Sequence, residues 1–212
     1  MFVRDCMTRN PITIRPESDP LAAVALIKSG AFRRLPVVDA DGKLVGIVGH
    51  TDLEIFLSQA GSPGVIQRQH RVEQVMSQSV LMAPPDCPLE EAAILMVEHK
   101  IGSLPVVENG RVVGIITETD IFKQFASVLG GGTDSLRLTV QVLDVPGQLA
   151  ELSNRIAEAG GNITSVVAYD AGQPDRINVT LRVVGVDKKI VMDAILDQSR
   201  LDVLHVWDGA ER

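Results

Sequence analysis

The sequence predicts a mixed α/β (α+β) chain: two similar small α/β units in tandem, followed by a ferredoxin-like domain of order β-α-β-β-α-β. Two observations carry this prediction. A set of short motifs occurs twice in the same order, and after residue 134 the pattern changes to alternating strands and two amphipathic helices. Apolar residues make up 45% of the 212 residues and aromatic residues 3%, so the cores must be mainly aliphatic.

Three motifs define the repeat. Met7-Thr8 recurs as Met76-Ser77, LPVV at 35–38 recurs at 104–107, and GKLVGIVGHTDL at 42–53 recurs as GRVVGIITETDI at 110–121. In each copy an Asp-Gly or Asn-Gly pair separates two apolar runs, which predicts a β-hairpin. Helical spacing of apolar residues predicts four helices, at 19–30, 51–59, 88–100 and 117–129.

The connectors and the last third complete the organisation. We expect units at 1–60 and 71–128, and a third domain at 135–208. The glycine-rich stretch 129–134 is predicted to be a flexible linker. In the third domain, the predicted strands are 135–143, 162–170, 176–184 and 201–207, and the predicted helices lie within 145–161 and 187–199.

Charge and composition exclude several function classes. The net charge is −7, whereas a nucleic-acid binder is expected to have an excess of basic residues. No apolar run approaches the length of a membrane span, and the first residues lack the apolar region of a signal peptide, so we expect a cytoplasmic protein without membrane contact. Cys6 and Cys87 are expected to be unpaired thiols.

These motifs resemble known families. The opening Met, LPVV and the glycine-initiated strand ending in Asp resemble a tandem cystathionine-β-synthase (CBS) domain pair, or Bateman module. DVPGQLAELSNRIAEAGGNITSV, at 144–166, resembles the opening of an ACT domain. The order CBS–CBS–ACT is similar to that of acetoin-utilisation proteins of the AcuB type.

The CBS resemblance implies a nucleotide site. In that family the turn Gly-h-h-Thr/Ser-x-x-Asp, where h is apolar, offers Asp to a ribose and Thr to a phosphate or ribose. Thr117 and Asp120 complete this turn in the second repeat, whereas Gly49 replaces the Thr before Asp52 in the first. The resemblance places phosphate donors just before LPVV, at Arg33 and Arg34. It implies that adenine binds the backbone of residues 80–83, including Val80 and Met82.

Two clefts of unequal affinity are therefore expected, and the cleft with Thr117 and Asp120 is predicted to be the functional one. A purely structural interpretation stays open, because Thr117-x-x-Asp120 is also a helix capping box. The pair Arg33-Arg34 is likewise compatible with a solvated surface.

The ACT resemblance implies a second site, where two ACT domains meet. Small ligands, often amino acids, bind there in the family, and the matching positions are Asp144, Gly147, Gln148, Asn162 and Ile163. An ordinary Pro-Gly helix start and an ordinary turn residue would explain the same letters.

The sequence therefore predicts a regulatory protein rather than an enzyme, because no P-loop, GxSxG or HExxH motif occurs and both parts resemble ligand-sensing modules. Both resemblances imply a homodimer. The expected ligand is an adenine nucleotide (AMP, ADP, ATP, NAD or S-adenosylmethionine), with no catalytic cofactor or metal. The regulated partner protein is not identified by the sequence. One alternative is an amino-acid sensor that works through the ACT domain, with the CBS pair as a dimerisation scaffold. A cryptic enzyme is the other.

Overall fold

The computed structural model describes residues 1–30, 32–60, 63, 66, 69–196 and 201–209. The described chain forms two compact units, Met1–Phe122 and Lys123–Arg212. Most of the predicted 60–70 connector and the end of the predicted 187–199 helix lie outside the described residues.

The first unit contains the two repeats, and each is a β-hairpin with helices. Its helices are α1 (Val3–Cys6), α2 (Pro20–Gly30), α3 (His50–Gln59), a 3₁₀ turn (Val72–Gln74), α4 (Leu89–His99) and the start of α5 (Glu118–Val128). Its strands are β1 (Thr8–Arg9), β2 (Arg34–Val38), β3 (Leu44–Gly49), β4 (Ser103–Glu108) and β5 (Arg111–Thr117). Both predicted hairpins are confirmed, as β2 pairs with β3 and β4 with β5, all antiparallel.

The turn chemistry explains the second hairpin. Asn109 and Gly110 both have positive φ, 51° and 79°, as a tight hairpin turn of matching twist requires.

The four predicted helices are also confirmed, each to within one residue at either end.

Each repeat sends its opening segment across to the other repeat. Val3 belongs to the core of the second repeat and donates its backbone N–H to the Cys87 carbonyl. Val72, which stands at the equivalent position 69 residues later, belongs to the core of the first repeat and donates to Ser18. Each repeat therefore contributes its opening residues to the core of the other repeat.

The exchange continues in the strands. β1 pairs with β5, placing Thr8 opposite Ile115, and Ser77 bridges Ile47 on β3 through two backbone hydrogen bonds of 2.9 and 3.0 Å. Each segment then turns back to its own repeat, where Ile14 bridges Val37 and Ala83 bridges Val106.

The second unit has the predicted β-α-β-β-α-β order. It consists of β6 (Leu136–Leu143), α6 (Gln148–Glu158), β7 (Asn162–Asp170), β8 (Arg176–Val184), α7 (Lys188–Leu196) and β9 (Asp202–Asp208). The antiparallel sheet has strand order β7-β8-β6-β9. One sheet face packs on both helices through an aliphatic core that includes Leu138, Ile156, Leu181 and Ile195, as the low aromatic content predicts.

The glycine-rich stretch 129–134 is not the free linker that its composition predicts. Arg182 on β8 donates from Nε to the Leu129 carbonyl at 3.2 Å and from Nη1 to Ser135 Oγ at 3.2 Å. The Thr133 hydroxyl donates to the Gly130 carbonyl at 2.7 Å. Composition alone could not predict this, because the anchoring arginine lies about fifty residues further along the chain.

Candidate functional site

A cavity of about 910 Å³ lies within the first unit and collects equivalent segments of both repeats. From the helix starts it has Gly49–Asp52 and Thr117–Asp120. From the beginnings of β2 and β4 and the residues just before them it has Phe32–Arg34 and Gly102–Ser103. The equivalence extends to the backbone, because His50 donates to the Arg33 carbonyl at 2.9 Å and Glu118 to the Gly102 carbonyl at 3.2 Å. The two clefts expected from the sequence are therefore two ends of one cavity.

At one end, Thr117 and Asp120 form a reciprocal cap on α5. The Asp120 backbone N–H donates to Thr117 Oγ1 at 3.3 Å. Asp120 Oδ2 accepts hydrogen bonds from the Thr117 backbone N–H at 2.9 Å and from the Thr117 hydroxyl at 2.7 Å. This is the capping box that the sequence left open as an alternative. It holds the carboxylate at the cavity wall, and among the described residues Oδ1 has no hydrogen-bond donor.

The other end lacks this cap. Gly49 is the N-cap of α3 and offers no side-chain oxygen. The Asp52 carboxylate lies close over it, because a Cβ added at Gly49 would stand 2.9 Å from Asp52 Oδ2. The helix of the second repeat thus has a side-chain cap whose carboxylate lies at the cavity wall, whereas the helix of the first repeat has no such cap.

Five of the predicted nucleotide-binding residues line this cavity. They are the arginine pair and three residues from the helix starts: Arg33, Arg34, Asp52, Thr117 and Asp120. Lys100 is a further basic residue of the wall. Among the described residues, no carboxylate oxygen lies within ion-pairing distance of the basic nitrogens of Arg33, Arg34 or Lys100. Two helix N-termini and three cations without an ion-pair partner in the described chain favour anionic groups on a ligand. The carboxylates of Asp52, Glu118 and Asp120 in the same wall favour a ligand that also carries hydrogen-bond donors.

Val80 and Met82, however, are not among the residues that line the cavity. The opening segment of the first repeat contributes to the wall instead, through Thr8, Asn10, Pro11 and Ile12. The exchange of opening segments is the reason: β1 of the first repeat pairs with β5, whereas Ser77, just before Val80, pairs with β3. Val80 and Met82 therefore lie outside the cavity that Thr117 and Asp120 line.

Sequence reasoning missed Ser103. Its side chain is 4% exposed, it lines the cavity, and its hydroxyl has no hydrogen-bond partner among the described residues. A buried hydroxyl without a partner is costly unless a ligand or water satisfies it. The available indication in the sequence was its position directly before LPVV, the position that Arg34 occupies in the first repeat. The structure adds that Ser103 stands directly opposite Thr117 in the β4–β5 register.

Comparison with known proteins identifies the two parts of the chain. The CBS domain model matches residues 3–58 and 72–127, which together make up just over half of the chain. The chain belongs to the CBS domain family. Residues 131–207 match the TTHA0829-like ACT domain, so the CBS–CBS–ACT order inferred from the motifs is confirmed. CBS domain pair proteins are in general regulatory.

Three solved structures are similar to the CBS pair. A proposed acetoin utilization protein (AcuB) from Vibrio cholerae is 35% identical, with a TM-score of 0.55 over 61% of this chain and 93% of its own. The CBS domain pair of protein MJ0100, in complex with 5′-methylthioadenosine and S-adenosyl-L-methionine, is 32% identical, with a TM-score of 0.53 over 60% and 97%. CBSX2 in complex with AMP is 28% identical, with a TM-score of 0.53 over 60% and 97%.

Longer relatives also carry this pair. L-aspartate semialdehyde sulfurtransferase of Methanocaldococcus jannaschii is 33% identical over 125 residues, which are 58% of this chain and 23% of that protein. The match spans about a quarter of that relative. The relative's enzymatic activity therefore belongs to its own whole chain and is not carried over to this one.

The five predicted ACT residues occupy ordinary structural places. Gly147, with a φ of 95°, is the N-cap of α6, and Gln148 is the first helical residue. The Asp144 backbone donates to the Asp175 carbonyl at 2.9 Å, and Asn162 and Ile163 begin β7. None of the five lines the cavities at residues 8–120 and 126–182. Ligand binding at these residues stays a prediction.

No group of three or more histidine, cysteine, aspartate or glutamate side chains within the described ranges could hold a metal ion. His50 contacts Glu54, with 3.4 Å between Nε2 and Oε1. None of the described helices is both long and apolar enough to cross a bilayer.

The two thiols are free, and we expect both to react slowly with iodoacetamide at pH 8. Burial, and then the nearby Asp5 carboxylate, raises the pKa of Cys6. Burial, and then Glu91, raises the pKa of Cys87. A raised pKa lowers the thiolate fraction, and the thiolate is the reacting form. Mass spectrometry of alkylation over time should show both rates increasing in urea, and equal rates in native and unfolded protein would contradict this assignment.

Proposed function

We propose that the CBS pair binds an adenine nucleotide and that the protein is a non-catalytic regulator. The observation that carries this proposal is the convergence, in one cavity, of a capped carboxylate at Asp120, an unpaired guanidinium pair and the unsatisfied Ser103 hydroxyl. Similar CBS pairs were solved with AMP, and with 5′-methylthioadenosine and S-adenosyl-L-methionine. Their shared adenosine portion supports the same ligand class here.

The ligand is placed by chemistry. The ribose hydroxyls donate to Oδ1 of Asp120, an ionised acceptor already held in position by Thr117. The phosphates lie toward Arg33 and Arg34, whose planar forks suit phosphate oxygens. The adenine lies against Pro11 and Ile12 and takes the place given to residues 80–83 in the sequence prediction.

Regulation follows from linkage. A nucleotide that contacts both repeats stabilises the arrangement of repeats it binds best, and it shifts that equilibrium only by its differential affinity. We propose that the shift changes the activity of a partner protein in the cytoplasm, in acetoin or related carbon metabolism, as the similarity to an AcuB protein suggests. A homodimer is supported by exposed apolar side chains, because Val97 on α4 is 77% exposed and Phe122 on α5 is 73% exposed.

A thermal-shift panel of AMP, ADP, ATP, NAD and S-adenosylmethionine tests the proposal. A ligand that binds the folded state stabilises it by about 2.7 kcal/mol at one hundred times its Kd, so at least one should raise Tm by several degrees. The nucleotide is recovered after incubation and quantified by chromatography. Absence of any Tm change at millimolar ligand would contradict binding, and consumption of the nucleotide would contradict a non-catalytic role.

Thr117→Gly separates capping from binding. Replacing a capping threonine by glycine costs only a few tenths of a kcal/mol, compared with about 1 kcal/mol for alanine. We therefore expect Thr117→Gly to unfold in urea almost like the wild type. It should bind nucleotide about tenfold more weakly, because Asp120 loses the hydroxyl that orients it. Unchanged nucleotide affinity in isothermal titration calorimetry would restrict Thr117 to its capping role.

A further inference from the structure

A second cavity, of about 440 Å³, lies wholly within the second unit, on the sheet face opposite its helices. It is distinct from the five residues to which the ACT resemblance points. The sheet supplies side chains from three neighbouring strands, namely Arg137, Ser165, Val167, Tyr169, Thr180 and Arg182. Ala126, Leu129 and Gly131, from the end of α5 and the glycine-rich stretch, complete the wall.

The strand register explains why these side chains share one face. Arg137 on β6 stands directly opposite Arg182 on β8, and Arg182 stands opposite Ser165 on β7. One step along, Thr180 stands opposite Val167. The alternate residues of the same strands, such as Leu138 and Leu181, form the core on the helix side.

Two arginines at directly opposed positions repel each other, which is unfavourable in a sheet. Arg182 is 8% exposed and has a structural part, because it anchors Leu129 and Ser135. Arg137 differs. Its Nη1 donates to Thr139 Oγ1 at 3.1 Å, and no carboxylate of the described chain lies within ion-pairing distance of it. The Arg137 guanidinium is therefore the cation available to a ligand.

The rest of the wall restricts the ligand further. Leu129, Val167 and the ring of Tyr169 offer apolar surface, and Ser165 offers a hydroxyl. The Thr180 hydroxyl is already hydrogen-bonded to Thr139 Oγ1 at 3.0 Å. None of the nine lining residues in the described part of the chain is Asp or Glu. An ammonium group bound here would lose water without gaining an ionised partner, which is unfavourable.

We propose that this cavity binds a small organic carboxylate with a compact apolar body and no ammonium group. The carboxylate lies at Arg137 and the Ser165 hydroxyl, and the hydrocarbon lies against Leu129, Val167 and Tyr169. The chemistry of the wall thus selects against a zwitterionic amino acid at this face.

Calorimetry with a matched pair tests the proposal on the full chain. The probes are 4-methylpentanoate and leucine, which differ only by the α-ammonium group. We expect 4-methylpentanoate to bind at least about tenfold more tightly than leucine, since a charged hydrogen bond remains and an unpaired cation is avoided. Equal affinity for the two probes, tighter binding of leucine, or no heat from 4-methylpentanoate at millimolar concentration would overturn the proposal.

Variants locate the site. Arg137→Gln should weaken 4-methylpentanoate binding about tenfold or more, because the guanidinium–carboxylate contact is lost. Lys189→Gln removes the same charge from an exposed position on α7, across the sheet, and should leave binding unchanged. Val167→Phe on the edge strand β7 keeps every charge and fills the cavity, so it should abolish binding even if Arg137→Gln fails to fold.

This inference does not depend on the proposed nucleotide site, because no residue lines both cavities. Asp120→Ala should leave 4-methylpentanoate binding unchanged. Wild-type affinity in Arg137→Gln and Val167→Phe would place the carboxylate elsewhere and refute the assignment.

Discussion

Asp120→Ala is expected to raise the Kd for the adenine nucleotide about 10- to 100-fold, the largest effect on binding of any single change in the cavity. Among the described lining residues, this is the carboxylate that hydrogen bonds hold in place, at 2.9 and 2.7 Å from the Thr117 backbone N–H and hydroxyl. Hydrogen bonds to a charged group contribute about 1.5–3 kcal/mol, which corresponds to that range of affinity. Isothermal titration calorimetry with the best ligand of the panel measures the change.

Asp52→Ala is the matched control, because Asp52 occupies the equivalent place in the first repeat and lines the same cavity. It lacks a capping threonine, so we expect its removal to change the Kd less than about threefold. Asp120→Asn keeps one acceptor oxygen for the cap and replaces the other by an amide donor, so it removes the charge and the ribose acceptor while the cap remains. Equal losses from Asp120→Ala and Asp52→Ala would overturn the asymmetry between the two ends.

Gly114→Ala should destabilise the first unit by about 1–3 kcal/mol, the largest effect on stability that we expect from a single methyl group. A Cβ at this position would overlap Met7 Sδ and would lie 3.2 Å from the Thr8 carbonyl oxygen. Met7 and Thr8 are in the opening segment that crosses from the first repeat to β5. Urea unfolding monitored by circular dichroism measures the change.

A double-mutant cycle with Met7→Ala tests this cause. If the clash with the Met7 side chain is responsible, Gly114→Ala should cost clearly less in the Met7→Ala background. Gly102→Ala is the control, because there the nearest atom is the mobile end of the Glu118 side chain at 3.2 Å. A cost for Gly114→Ala that does not change when Met7 is shortened would contradict the packing explanation.

The contact between Met7 and Gly114 also explains why each repeat opens with methionine. Met76 packs on Gly46 in β3 as Met7 packs on Gly114 in β5, so the opening Met of each repeat covers a glycine in the second hairpin strand of the other. The sequence shows both the methionines and the glycines but not that they meet, because the partners are separated by more than one hundred residues in one case and by thirty in the other.

Features that the sequence alone determined are local ones. The hairpins, the four helices of the repeats and the capping of α5 by Thr117 depend on turn residues, apolar periodicity and side chains three positions apart. The β-α-β-β-α-β order of the last domain has the same origin. These interactions form between residues that are close in the sequence, so the sequence pattern predicts them without knowledge of the tertiary structure.

Only the tertiary structure decided which segments of the chain meet. The exchanged opening segments put Thr8, Asn10, Pro11 and Ile12, and not Val80 and Met82, into the wall of the cavity that Asp120 lines. The same is true of the buried Ser103 hydroxyl and of Arg137 standing opposite Arg182. Pairing between distant strands depends on the packing of the whole unit, and no short stretch of sequence encodes that register.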